Sequence, residues 1–333
     1  MSRLRTIGVV GAGAWGTALA QTAARAGSDV RLYARDPAVA EAIRRDQHHP
    51  RRLEDVRLLP RIVATARLDD LAETDAILVA VPAQTIGSVA GDLPGAAPVV
   101  ICAKGFETTS GRRLSEVVAA AGAGERPVAA LSGPNFAREV ALGLPAATTL
   151  AVEDERLGRR LAASLSSAHF RVYWTDDLVG VEVGGAVKNV LALAAGVVMG
   201  LGLGENARAG LITRGLAELT RLGTALGARP ETLAGLAGLG DLILTAMSLT
   251  SRNTSVGYTL GRGAPPEDLR TDGLPLAEGV ATAPAVVRLG ERLGIDLPIA
   301  RTVDDLLESR CRLDEVVERL MLRPLRPEIP ALD

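Results

Sequence analysis

The segment Leu4-Arg5-Thr6-Ile7-Gly8-Val9-Val10-Gly11-Ala12-Gly13-Ala14-Trp15-Gly16-Thr17-Ala18-Leu19-Ala20 decides how this chain folds. Residues 4–10 form a short apolar strand that runs straight into a turn carrying Gly11, Gly13 and Gly16. Residues 17–26 are good helix formers, and Gly27 suits the left-handed position that closes a helix. A second strand, Asp29-Val30-Arg31-Leu32-Tyr33, follows, and Asp36-Pro37 opens another helix with an aspartate cap and a proline in its first turn. Strand, glycine turn, helix and strand thus fall within about thirty residues, the context that gives this glycine spacing its meaning. Gly11 makes the tight turn, Gly13 lets the backbone approach a pyrophosphate, and Gly16 lets the helix lie close to the strand. Helix N-terminal amides and the helix dipole then hold the phosphate charge. A bound dinucleotide is the expectation.

Which dinucleotide depends on the end of the second strand, Tyr33-Ala34-Arg35-Asp36. NAD binders place an acid there to accept from the ribose 2′-hydroxyl, whereas an arginine accommodates a 2′-phosphate. Arg35 therefore favours NADP(H). Asp36 is expected to be taken up with capping the next helix, so NAD(H) stands as the second cofactor.

Further continuous apolar runs, at residues 77–81, 99–103 and 128–131, read as strands of a parallel sheet covered on both faces. Residues 147–152 add an expected edge strand. The fold class expected is α/β: an N-terminal doubly wound Rossmann-type sheet followed by an all-α C-terminal domain. Lys104-Gly105 and Ser132-Gly133-Pro134-Asn135 follow two strand ends, where ligands bind in such sheets.

Beyond about residue 177 strand-like runs disappear. Segments 177–199, 205–226, 231–237, 251–260, 283–293, 299–307 and 314–322 read as helices broken by Gly and Pro. The 333 residues fit a prior of two domains, placed at 1–176 for the dinucleotide and 177–333 for the substrate. The tail from Arg323, with Pro324, Pro327 and Pro330, reads as extended.

Composition excludes several classes. Lys+Arg 37 against Asp+Glu 39 leaves a net charge of -2 without a basic face, which argues against nucleic acid. Two Trp, three Tyr and three Phe supply few stacking platforms. Cys102 and Cys311 form neither a disulfide framework nor a metal cluster, and Cys102 in its apolar run reads as core. The three histidines share no ligand spacing with Cys, Asp or Glu, so no metal is expected. His48-His49 beside Arg51-Arg52 reads as a solvated loop. Residues 6–24 are uncharged and long enough for a signal core, but their glycines argue for the Rossmann turn instead. No other uncharged window reaches the roughly 18 apolar residues that a span needs. A cytoplasmic protein without an integral membrane segment is expected.

Three polar clusters interrupt the apolar second half. Gly184-Gly185-Ala186-Val187-Lys188-Asn189 sets a lysine mid-helix, which is costly to bury unless paired. Gly238-Leu239-Gly240-Asp241-Leu242 sets a carboxylate at a helix junction. Ser251-Arg252-Asn253-Thr254 concentrates donors at a helix start.

These motifs, with the glycine turn, Lys104-Gly105 and Leu131-Ser-Gly-Pro-Asn-Phe-Ala-Arg-Glu139, stand in the order of a known family. Over about residues 5–310 the chain resembles the bacterial-type NAD(P)-dependent sn-glycerol-3-phosphate dehydrogenases. The resemblance implies hydride transfer between NAD(P)H and dihydroxyacetone phosphate, giving sn-glycerol 3-phosphate for glycerophospholipid synthesis, in a homodimer. It implies Lys188 as the acid/base group, with Asp241 orienting it or the substrate hydroxyl. Burial of Lys188 would favour the neutral form that oxidation needs, and Asp241 would oppose it. Gly11, Gly13, Ala14, Trp15, Gly16, Arg35, Lys104, Ala137, Arg252 and Glu278 fall on the cofactor side. Lys104, Gly133, Asn135, Ser251, Arg252 and Asn253 join Lys188 and Asp241 around the substrate. Between Arg45 and Pro60 the chain departs from the family's Asn-x-x-aromatic-Leu-Pro pattern, and nothing is carried over there. Two rivals are a related dehydrogenase of another small hydroxy acid, lacking the Ser251-Arg252-Asn253 cluster, and a non-catalytic NADP(H) sensor, needing neither Lys188 nor Asp241.

Overall fold

The computed structural model describes residues 3–122, 126–270 and 277–321. The proline-rich tail from Arg323 lies outside the described residues. Eight strands form one sheet: β1 (Thr6–Val10), β2 (Asp29–Tyr33), β3 (Ile62–Thr65), β4 (Ala76–Val79), β5 (Val99–Ile101), β6 (Val128–Ser132), β7 (Ala146–Ala151) and β8 (Phe170–Thr175). Their order is β3-β2-β1-β4-β5-β6-β7-β8. Neighbours are parallel except β6 and β7, which pair antiparallel. The order reverses at β1, between β2 and β4, which opens a crevice at the carboxyl ends of β1 and β4.

Helices α1 (Ala14–Arg25), α2 (Pro37–Asp46), α3 (Ile86–Gly91), α4 (Leu114–Ala120), α5 (Ala137–Leu142) and α6 (Glu155–Leu165) cover the sheet. The chain then becomes helical: α7 (Leu178–Gly200), α8 (Gly204–Ala225), α9 (Pro230–Leu233), α10 (Asp241–Ala246), α11 (Arg252–Gly261), α12 (Glu278–Leu293), α13 (Pro298–Leu307) and α14 (Leu313–Met321). This is an α/β Rossmann-type fold followed by a helical array.

Two expectations need correcting. Residues 147–152 are not the edge of the sheet, because β8 pairs outside them. The outermost strand keeps exposed Arg171 and Tyr173 on one face, so its apolar signal is diluted. His49 is not solvated: it is buried, 4% exposed, against the glycine turn.

The array is organised around α7, which is long and apolar enough to cross a membrane by length and composition. Its most apolar window is 94% buried inside the protein, as a core helix would be. Close packing comes from small residues. Where Gly196 and Gly257 face each other, a Cβ on either would strike the backbone carbonyl of Thr254 or Leu193, so α7 and α11 touch main chain to main chain.

Candidate active site

The glycine turn joins β1 to α1. Gly11 sits at φ +107°, a left-handed conformation that glycine alone adopts without strain. A Cβ on Gly16 would collide with the carbonyl of Gly11, so the helix could not lie this close with any other residue. Gly13 caps α1 without a side-chain bond, and the first turn carries no acid. Nothing lies within 4 Å of where a Cβ on Gly13 would stand. The helix start therefore presents uncapped amides and an uncompensated dipole to open space. Trp15 Nε1, in the same turn, is buried without a partner. These features fit a dinucleotide pyrophosphate, and no acid in the first turn of α1 opposes its charge. Arg35, beyond β2, is exposed and makes no hydrogen bond or ion pair among the described residues, whereas Asp36 caps α2 by accepting from the Ala38 amide at 2.9 Å.

Where β5 and β6 end, the sheet meets the helical array. Lys104 Nζ donates to Gly133 O at 3.1 Å and to Asp241 Oδ2 at 2.5 Å. From the other side, Lys188 Nζ donates to Asp241 Oδ1 at 3.0 Å and to Thr245 Oγ1 at 2.8 Å. Asp241 is 1% exposed and Lys188 7%. One carboxylate thus bridges two ammonium groups, which leaves the cluster with a net positive charge in a dry place. Burial pushes Lys188 down to about 8, against the opposing charge of Asp241, while Lys104 pushes the same way as burial. Burial raises Asp241, but the two lysines outweigh it and hold it below the usual carboxylate range.

Local structure aims these groups. Asp241 follows a π-helical turn, Leu236–Gly240, which is wider than the α-helix it enters. A Cβ on Gly184 of α7 would stand 2.8 Å from Ala237 O in that turn, so its bareness sets the approach of α7 to Asp241. Asn253 braces the neighbouring elements: Nδ2 donates to Asn189 Oδ1 at 2.9 Å, and Oδ1 accepts from the Gly279 amide at 2.9 Å. Ser251 caps α11, its Oγ accepting from Thr254 N at 3.3 Å. Arg252 is exposed and makes no hydrogen bond among the described residues, although its charge acts on Glu278. Glu278 Oε1 accepts from Ala83 N at 3.4 Å, tying the start of α12 to the loop after β4. Burial raises its carboxyl, opposed by that amide and by Arg252, Lys188 and Lys104. Ser132 Oγ and Asn135 Oδ1 are buried without partners, and Asn135 Nδ2 donates to Ala147 O at 3.2 Å. Ala137 begins α5 beside them.

The structure therefore gathers Lys104, Gly133, Lys188 and Asp241 in direct contact, with Asn253 and Glu278 on adjoining elements. Arg35 lies apart from this group, at the end of β2. Sequence reading missed Thr245, Asn189 and His49. Thr245 stands four residues after Asp241, a helical spacing that would have placed it on the same face. Asn189 stood inside the quoted Gly184–Asn189 motif without a role, and His49 was read as part of a solvated loop.

A dinucleotide cradle and a buried lysine–carboxylate bridge at one end of one sheet fit a pyridine-nucleotide oxidoreductase. Family models described as the NAD-dependent glycerol-3-phosphate dehydrogenase N-terminus and C-terminus match residues 6–158 and 177–318. The chain belongs to the NAD-dependent glycerol-3-phosphate dehydrogenase family. It is 53% identical over 327 residues to the glycerol-3-phosphate dehydrogenase (NAD(P)+) of Rhodospirillum rubrum, covering 97% of this chain and 93% of the relative. The Caulobacter vibrioides enzyme of the same name is 51% identical over 326 residues, 97% and 98% of the two chains. The crystal structure of glycerol-3-phosphate dehydrogenase from Coxiella burnetii superposes with a TM-score of 0.90 at 36% identity, over 96% of this chain and 99% of that one.

Proposed function

We propose that this chain interconverts dihydroxyacetone phosphate and sn-glycerol 3-phosphate with a nicotinamide dinucleotide, NADP(H) in preference to NAD(H), in glycerophospholipid synthesis. The observation that carries the reading is the buried Lys188–Asp241–Lys104 bridge at the carboxyl end of the sheet. The bound nicotinamide supplies or accepts the hydride at substrate C2. Lys188 holds the proton for the C2 oxygen: its N–H bond breaks and an O–H bond forms as the carbonyl is reduced. In the oxidising direction the neutral amine takes that proton back. A lysine at about 8 holds both forms in useful amounts near neutral pH. Asp241 orients the amine, and Thr245 accepts one of its hydrogens.

Arg252 and the start of α11, with Ser251 and Asn253, take the substrate phosphate, because a helix N-terminus and a free guanidinium favour a dianion. Lys104, Gly133 and Asn135 line the same space. Gly11, Gly13, Ala14, Trp15, Gly16 and Ala137 border the dinucleotide, with Arg35 at its 2′-phosphate and Glu278 on its nicotinamide side. The working form is a cytoplasmic homodimer, with residues 1–176 as the cofactor unit and 177–333 as the substrate unit.

The test follows oxidation of NADPH and NADH by the purified protein with dihydroxyacetone phosphate. Turnover that disappears in Lys188→Ala supports the reading. Cofactor binding without turnover, in a folded wild type, would remove the substrate assignment.

A further inference from the structure

We infer that the turn after α2 sets the cofactor preference, with Arg51 as the specificity-determining residue and His49 as the anchor that places it. The inference rests on the dinucleotide-dependent reading above and names the part of the chain that tunes it.

Two side chains with opposite preferences stand together at the end of β2. Arg35 attracts a ribose 2′-phosphate, and Asp36 repels it while offering an acceptor to a 2′-hydroxyl. In the structure Asp36 is already engaged. Oδ1 accepts from the Ala38 amide at 2.9 Å, and Oδ2 accepts from the Arg51 guanidinium. Arg51 thus cancels the one carboxylate that would oppose Arg35, and it competes for the oxygen that a 2′-hydroxyl would use.

Arg51 is held there by a buried ring. The Arg51 amide donates to His49 Nδ1 at 3.1 Å, so the ring proton sits on Nε2, which donates to Ala12 O at 2.8 Å. That carbonyl belongs to the glycine turn itself, so the turn after α2 is fastened to the pyrophosphate cradle. The backbone reverses at both ends of the segment, with Gln47 at φ 54° and Leu53 at φ 51°. Gln21 of α1 secures the way out, its Oε1 accepting from Leu59 N and its Nε2 donating to Arg57 O, both at 3.0 Å. The segment lies where the sequence departs from the family pattern.

Calorimetric binding of 2′,5′-ADP and 5′-AMP to the full-length protein, without nicotinamide, isolates the adenosine end. The wild type binds 2′,5′-ADP more tightly than 5′-AMP. Arg51→Ala weakens 2′,5′-ADP by about tenfold, through repulsion from the uncovered Asp36, and leaves 5′-AMP unweakened. The double variant Arg51→Ala/Asp36→Asn regains most of that loss. His49→Ala shows the same selective weakening, whereas His49→Gln, whose Nε2 reaches equally far and still donates, retains the preference. The ratio of kcat/KM for NADPH over NADH moves in parallel. An unchanged preference in Arg51→Ala overturns the inference. Failure of the double variant to regain binding also overturns it, since Arg51 would then act on the phosphate directly. If the wild type shows no preference for 2′,5′-ADP and Arg35→Ala changes neither ligand, the NADP(H) reading itself falls, and this inference with it.

Discussion

Lys188 and Asp241 show how two opposed effects on one ammonium group resolve. Taking the amine out of water favours its neutral form, and the carboxylate at 3.0 Å favours the charged one. Burial wins, and the lysine comes to about 8. The reducing direction needs the charged lysine, so its kcat/KM falls as pH rises through about 8, while the oxidising direction gains over the same range. Rates measured in both directions from about pH 6 to about pH 10 check the crossing. Asp241→Asn removes the charge that supports the ammonium, so the falling limb of the reductive profile moves to lower pH. Lys188→Ala lowers kcat by about a thousandfold, read from steady-state turnover with the protein still binding NADPH. Arg252→Ala acts on the phosphate instead, raising KM for dihydroxyacetone phosphate by about thirtyfold with a smaller change in kcat. Both lysines and the aspartate stood out in the sequence by motif. The pairing of Lys188 with Asp241 was implied by the resemblance, but the reach of Lys104 to the same carboxylate was not, because those two residues are 137 apart in sequence and only the fold brings them together.

At the scale of elements, the parts that were legible are those whose patterns are local. The glycine turn, the apolar strands β1, β4 and β5, and the long helix α7 each announce themselves within a short stretch of chain. Strand β3 lies between Arg61 and Arg67 with Thr65 inside it, so it lacks the longer apolar run that marks β4 and β5, and β8 mixes Arg171 and the exposed Tyr173 into its apolar run. The position of β7 inside the sheet depends on that missed neighbour. The π-helical turn before Asp241, which lies against Gly184 of α7, was equally silent in the sequence. His49 looked solvated beside two arginines, yet its ring is held by Ala12 of the glycine turn, 37 residues away in sequence. The contact of α7 with α11 offers a sharp test. Gly257→Ala inserts a methyl against the Leu193 carbonyl, where backbone cannot yield, and costs about 3 kcal/mol of stability. Urea unfolding of the variant measures it, and Gly210→Ala in α8, where nothing lies within 4 Å, serves as the comparison without a clash, expected to gain about 1 kcal/mol from helix propensity.

For the whole molecule, the site is shared between the sheet and the helical array. Ligands that bind across that boundary favour the closed, folded arrangement over the unfolded chain. NADPH at about a hundred times its Kd adds about 2.7 kcal/mol, which corresponds to a rise in Tm of about 4 °C for a chain of this size. Thermal unfolding followed with and without NADPH checks the figure, and NADH at the same concentration gives a smaller rise if Arg35 meets the 2′-phosphate.

The bridging carboxylate has one more consequence. Lys104 reaches it from the sheet and Lys188 from the helices, so Asp241 works as the keystone of an arch with a foot on each side. Severing the chain near Asp176, between the last strand and α7, would leave two fragments, neither holding a whole arch. Turnover could return only when the fragments find each other, so the chemistry itself would report their reunion.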